Sequence, residues 1–215
     1  KINNTPSKLT GTLGYFINLK KIKDSNLTTP SNLDLYQFAY SSKKNSYTYI
    51  SEASSHGIHQ DRFKNIKIDV AAITNISHDH LDYHENFNAY FNTKLSLFTK
   101  YLNSNGVAII NSNLKKYKII EKKLRNRKIK VIIYGSKDVY FIKNKSLYLN
   151  IFDKKFKLKK FQLENNIQKE NLECAIACAL AMNISAKKII NCLSSLKSAP
   201  GRFEIIYYKK KNSKI

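Results

Sequence analysis

Glycine is scarce in this chain, with six residues in 215. None of them forms a G-x-x-x-x-G-K-[ST] loop, so this stretch lacks the common phosphate-cradling motif. Cysteine is scarcer still: Cys174, Cys178 and Cys192. An odd, clustered set makes a poor disulfide framework and suits a reducing cytoplasm. Cys174 and Cys178 lie one helical turn apart among alanines, which reads as small residues on a packed helix face rather than a metal pair. No apolar run approaches the roughly 18 residues that a membrane span needs, and residues 1–11 contain no apolar core of a signal peptide. Acidic residues are also few: 15 Asp+Glu against 38 Lys+Arg, a formal charge of +23. Such a balance can mark a nucleic-acid binder. Here the excess is mostly lysine, mixed with abundant asparagine and isoleucine, which is what an A+T-rich genome favours. No groove-reading motif accompanies it, so no nucleic-acid partner is expected. A general attraction for anionic substrates is the safer inference.

What is present is a globular composition, 42% hydrophobic, long enough to bury a sizeable core. The most informative stretch runs from Asp69 to Phe98. Val70, Ala71, Ala72 and Ile73 form an apolar run without alternation, as expected of a central parallel strand buried on both faces. A polar tip follows with Asn75, His78, Asp79, His80, Asp82 and His84, denser in ligand-type side chains than an ordinary turn. Then Phe87, Tyr90, Phe91, Leu95, Phe98 and Leu102 recur at helical spacing, and Lys94 falls on that stripe, facing inward. In open α/β sheets, ligands sit beyond the carboxyl ends of the strands, where this tip lies.

Before this stretch, Gly11 and Gly14 suggest a turn into a strand. Thr28, Thr29 and Pro30 read as a helix start, with Thr29 as cap and Pro30 at the first helical position. A strand over 47–51 delivers Glu52, Ser54, Ser55, His56 and Gly57, with Gln60 and Arg62 just beyond, expected at the same sheet edge as the tip. All five histidines fall between His56 and His84, beside Glu52, Asp79 and Asp82, which argues for an ionic site. After the stretch come a buried strand over 106–110, a basic helix over 114–127 and a strand over 131–134. Alternating residues over 139–161 predict antiparallel hairpins, and two helices follow over 171–182 and 186–196. Pro200 and Gly201 mark a boundary.

Together these residues resemble the central domain of the Mur ligases. The matching pieces are Gly11 to Gly14, Thr28 to Pro30, Glu52 to Gly57 with Gln60 and Arg62, Thr74 to His84, Lys94, Asn171, and Gly201 to Glu204, in family order. The Asp79–His84 run with a lysine at this distance is the specific part, nearest the branch that adds the third residue of the peptidoglycan stem. The resemblance implies an α/β fold: an open, mostly parallel sheet flanked by helices, P-loop-NTPase-like, with a small antiparallel hairpin region. It implies a central ATPase domain over 1–199 and the start of a C-terminal domain over 200–215. The family's phosphate loop is expected before Lys1 and the rest of its C-terminal domain after Ile215, so the chain reads as a fragment, inactive alone.

The implied activity is ATP-dependent amide ligation in the cytoplasm, by a monomer with no membrane span. An amino acid, diaminopimelate or lysine, would be joined to UDP-N-acetylmuramoyl-L-Ala-D-Glu through an acyl phosphate. By family position, Glu52 and His80 hold Mg²⁺, and Lys94 carries a CO₂-derived carbamate as a further metal ligand, His80 and Lys94 serving catalysis. Thr28, Thr29, Ser54, Gln60 and Arg62 hold the UDP-muramoyl peptide, and Asn75, Asn171 and Arg202 lie on the nucleotide side. Three other readings are weighed against this one. Another Mur ligase step is possible. A metal-dependent hydrolase built on His78 and His80 leaves Lys94 and Thr28 to Pro30 unexplained. A non-catalytic basic module would need neither metal nor ATP.

Overall fold

The computed structural model describes residues 6–41, 47–77, 80, 82–158, 161, 163, 165–196, and the backbone of 207–208 and 213–214. Two sheets carry most of the chain. The smaller has four strands, β1 (Ser7–Gly11), β2 (Gly14–Ile17), β3 (Lys20–Lys23) and β4 (Thr48–Ser51), in the order β3-β2-β1-β4. Strands β1 and β2 form the expected hairpin through Thr12 and Leu13, and β4 returns parallel to β1. The larger sheet has six strands: β5 (Ile68–Ile73), β6 (Leu102–Asn111), β7 (Lys130–Tyr134), β8 (Val139–Lys143), β9 (Leu147–Ile151) and β10 (Lys154–Leu158), ordered β10-β9-β8-β7-β6-β5. Strands β5 to β8 pair in parallel, and β8 to β10 form the expected antiparallel meander. A two-stranded ladder joins β11 (Tyr207–Tyr208) to β12 (Ser213–Lys214).

The helices are α1 (Asn32–Tyr40), α2 (Ser55–His59), α3 (Phe87–Ser96), α4 (Tyr117–Asn126), α5 (Asn166–Ala181) and α6 (Ala186–Leu193). Side chains of β6 and β7 alternate between two cores. Ala108, Ile110, Val131 and Ile133 join Leu35, Ile58, Leu95 and Phe98 on one side. Val107, Ile109, Ile132 and Tyr134 meet Leu149, Ile176, Ala177 and Ile189 on the other. Each fully buried isoleucine contributes about 1.5–3 kcal/mol, so these two strands anchor the domain. Cys174 lies buried in the second core beside Ala177, as expected of a small residue on a packed helix face.

Four expectations require correction. Among the described residues strand β5 is not central: it pairs with β6 alone, at the edge of the sheet, and Val70 and Ala72 are half-buried. The strand before Glu52 belongs to the smaller sheet, not to the sheet that ends in the histidine tip. Leu102 does not continue the α3 stripe, because α3 passes into a π-helical turn over Leu97–Tyr101 and Leu102 opens β6. The α1 cap is Ser31, whose Oγ accepts from the Asp34 amide, so Pro30 precedes the cap.

Candidate functional site

Glu52 follows the last residue of β4, its amide donating to the Thr10 carbonyl at 2.9 Å. Its Oε2 accepts from both the amide and the hydroxyl of Thr12, each at 2.9 Å, and the Thr12 hydroxyl lies 3.2 Å from that of Thr28. This explains Gly11: a Cβ there would come 2.9 Å from Glu52 Oε2. The turn that reads weakly in sequence thus grips the carboxylate placed opposite it.

Thr29 is buried, and its hydroxyl is committed to packing α2 rather than capping α1. It donates to the Glu52 carbonyl at 2.8 Å, accepts from the Ser54 amide at 2.8 Å and lies 3.1 Å from Ser54 Oγ. Ser54 caps α2 by accepting from the Gly57 amide at 3.1 Å. Gly57 lets this contact close, since a Cβ would meet the Thr29 side chain at 2.6 Å. Beyond α2, Arg62 Nη1 donates to the Thr29 carbonyl, and Nε and Nη2 donate to Gln60 Oε1 at 3.0 and 2.5 Å. Gln60 in turn donates to the Tyr83 hydroxyl at 3.1 Å. The five residues assigned to the muramoyl peptide are thereby linked by hydrogen bonds, with Thr12 joining Thr28 to Glu52.

The histidines also converge. The His56 ring centre lies 3.9 Å from that of Tyr83 and 5.1 Å from that of His80, and the His84 ring sits tilted, 5.4 Å from that of Tyr90. His80 holds its backbone at a φ of 56°, a sparsely populated region for a non-glycine residue. Burial lowers the pKa of both His56 and His84, and the neighbouring imidazoles push the same way, against Asp82. His56 and His84 are therefore held toward the neutral form, which can accept hydrogen bonds or bind metal. His78 and Asp79 lie outside the described residues.

Lys94 leaves α3 half-buried, not sealed in the core. Its ammonium donates to the Asn75 carbonyl at 3.0 Å and sits 5.1 Å from the Tyr90 ring centre. It thus reaches the carboxyl end of β5, as the helical spacing predicts. Asn75 is exposed there, and Asn171 is exposed on α5. Arg202 lies outside the described residues. Residues that sequence reasoning missed include Thr12, Tyr83, Asn111 and Glu170, of which Thr12 and Tyr83 lay inside motifs already noticed.

Among the described residues, no three His, Cys, Asp or Glu side chains form a metal cage. Glu52 supplies one hard oxygen donor of the kind Mg²⁺ takes, and Mg²⁺ ordinarily keeps waters and substrate oxygens in its shell rather than a full protein cage. An ammonium at Lys94 is no ligand, whereas a carbamate there would add an oxygen donor. The donor set fits magnesium with substrate better than a structural transition metal.

Residues 1–186 match the family described as the Mur ligase middle domain. The chain is 35% identical over 185 residues to a UDP-N-acetylmuramoyl-L-alanyl-D-glutamate–2,6-diaminopimelate ligase of Rickettsia bellii, a match covering 83% of this chain and 39% of that protein. It is 34% identical over 207 residues to the ligase of the same description from Clostridium botulinum, covering 92% and 41%. A solved structure of a ligase so described superposes with a TM-score of 0.79 at 26% identity, covering 95% of this chain and 43% of that one. The chain spans about two fifths of the length of these curated relatives.

Proposed function

This chain belongs to the Mur ligase family through its middle domain, and on that premise we propose that it is the ATP-handling part of an amide ligase. The ligase joins diaminopimelate or lysine to the D-glutamate of UDP-N-acetylmuramoyl-L-Ala-D-Glu. It acts in the cytoplasm as a monomer, with the domain division near residue 199. The observation that carries this reading is the match of residues 1–186 to that family's middle domain, supported by the Glu52 carboxylate held at the end of β4, the His56 and His80 rings 5.1 Å apart, and Lys94 at the Asn75 carbonyl beyond β5.

In such a ligase, phosphorylation of a substrate carboxylate by ATP gives an acyl phosphate, which the incoming amine attacks with loss of phosphate. Like charges must be gathered for this, and a bound Mg²⁺ supplies that charge neutralisation. Glu52, His80 and a carbamylated Lys94 are the residues that would hold the ion. Thr12 holds Glu52 Oε2 with two hydrogen bonds and so fixes the carboxylate that would hold the ion. Thr28, Thr29, Ser54, Gln60 and Arg62 shape the wall for the anionic sugar peptide, while Asn75, Asn171 and Arg202 serve the nucleotide. Arg62 is suited to this role because guanidinium presents a planar fork to carboxylate or phosphate.

The test is turnover by the longest protein encoded by the reading frame that contains this chain. With Mg·ATP, UDP-N-acetylmuramoyl-L-Ala-D-Glu and either amino acid, mass spectrometry should detect the amide product together with ADP and phosphate. ADP release without an amide product under all amine conditions would sink the proposal.

A further inference from the structure

From the hydrogen bonds at the carboxyl ends of β5 and β6, we infer that Asn111 and Glu170 form a positioning pair that ties the α5 wall to the β5 tip. Asn111 is the last residue of β6 and only 3% exposed. Its side-chain amide is fully used. Nδ2 donates to the Thr74 carbonyl at 3.0 Å and to Glu170 Oε2 at 3.2 Å, while Oδ1 accepts from the Asn113 amide at 2.9 Å. This requires a group with two N–H donors and an acceptor, which asparagine supplies and aspartate does not. Glu170 completes the link through Oε1, which accepts from Asn113 Nδ2 at 2.8 Å. The Tyr134 hydroxyl reaches the same Thr74 carbonyl at 3.4 Å.

The Thr74–Asn75 segment is therefore held from two sides: Asn111 and Tyr134 fix the Thr74 carbonyl, and Lys94 fixes the Asn75 carbonyl. Glu170 immediately precedes Asn171 on α5. A continuous chain of hydrogen bonds thus runs from Lys94 through the β5 tip and Asn111 to Glu170, and one peptide bond separates it from Asn171. Positioning matters here because misplacement by about 1 Å costs a reaction as much as a hundredfold. Resting on the ligase reading, the inference assigns the pair to alignment of the nucleotide side. Neither residue is argued to touch the reacting atoms.

The experiment uses the same full-length protein and reads Mg·ATP affinity by calorimetry, the KM for ATP and for the muramoyl dipeptide, and the urea unfolding midpoint. Glu170→Ala should raise the KM and Kd for ATP about tenfold, leaving the dipeptide KM within about twofold and the unfolding midpoint close to wild type. Glu170→Gln keeps one acceptor and opposes an N–H to an N–H at the other, so it should fall between Glu170→Ala and wild type. Unchanged ATP parameters in Glu170→Ala overturn the inference. So do equal rises in both KM values, or a loss of stability that accounts for the change. If wild type binds no Mg·ATP, the ligase reading falls and takes the pair's role with it. Binding by wild type with no effect in the variants refutes the pair alone.

Discussion

The ammonium of Lys94 donates to the carbonyl oxygen of Asn75 at 3.0 Å, across 19 residues of chain. That contact brings the last turn of α3 to the end of β5, and the half-buried Lys94 is not sealed from dissolved CO₂. On the carbamate reading, Lys94→Ala in the full-length ligase abolishes turnover, and a small carboxylate such as formate partly restores it. Lys94→Arg stays inactive, since a guanidinium keeps its charge and forms no carbamate. Activity assays beside far-UV circular dichroism check this; a fully active Lys94→Arg would reduce Lys94 to a strut between α3 and β5.

Arg62 has a structural task as well as an expected binding one. Because its guanidinium holds the Thr29 carbonyl and Gln60, Arg62→Ala should loosen the muramoyl-peptide wall. The KM for the UDP-linked dipeptide should rise at least tenfold, with that for ATP changed by less than threefold. Arg62→Lys should recover little, because a single ammonium cannot serve both acceptors in one plane. Equal changes in the two constants would refute the assignment.

Lys8 is 1% exposed, and its ammonium closes the carboxyl end of α1. It donates to Phe38 O at 2.7 Å, to Ser41 Oγ at 2.8 Å and to Ala39 O at 3.4 Å. A cation there satisfies orphan carbonyls and opposes the negative end of the helix dipole. Lys8→Met keeps most of the volume but none of the donors, and should cost roughly 2 kcal/mol of stability. Urea denaturation measures it; a loss below about 0.5 kcal/mol would mean that water replaces the ammonium.

Glu173 is fully buried, and one oxygen accepts from the Phe141 amide at 2.7 Å while the other has no hydrogen-bond partner among the described residues. Burial raises its pKa to about 7, against the Phe141 hydrogen bond and Lys169. The unfolded chain releases this proton near the ordinary value of 4.5, so the folded state binds the proton more tightly and its stability falls between about pH 4.5 and 7. The penalty above pH 7 is on the order of 3 kcal/mol. Glu173→Gln keeps the acceptor for Phe141 without the charge. It should stabilise the protein at pH 8 and change little at pH 4.5, as denaturation at the two values would reveal. Equal effects at both would show that the carboxyl is not held neutral.

Uninterrupted apolar runs made β6 and β7 legible, and alternation made the β8–β10 meander legible, because each pattern follows directly from how many strand faces are buried. Pairing partners are another matter. Val70 to Ile73 is apolar enough for a central strand, yet among the described residues its one strand neighbour is β6, and periodicity within a segment carries no information about its neighbours. The same gap hid the division into two sheets. At α1, the sequence pointed to Thr29 as the cap, but its hydroxyl is taken by the long-range bond to Glu52 and Ser31 caps instead. Lys94 was legible because i, i+4 spacing fixes its direction, whereas the Glu52 segment was legible as a strand end but not as part of a separate sheet. Asn111 and Glu170 were not, since their partners lie 37 and 59 residues away along the chain.

The missing Cβ at position 11 sets a rule for how this site changes over time. A side chain at position 11 would press on the tip of the Glu52 carboxylate at 2.9 Å, so enlarging residue 11 should displace that oxygen from its place against Thr12. Changes at the two positions should therefore be coupled, and their joint history among descendants of this gene would record whether the acid's present placement was ever dispensable.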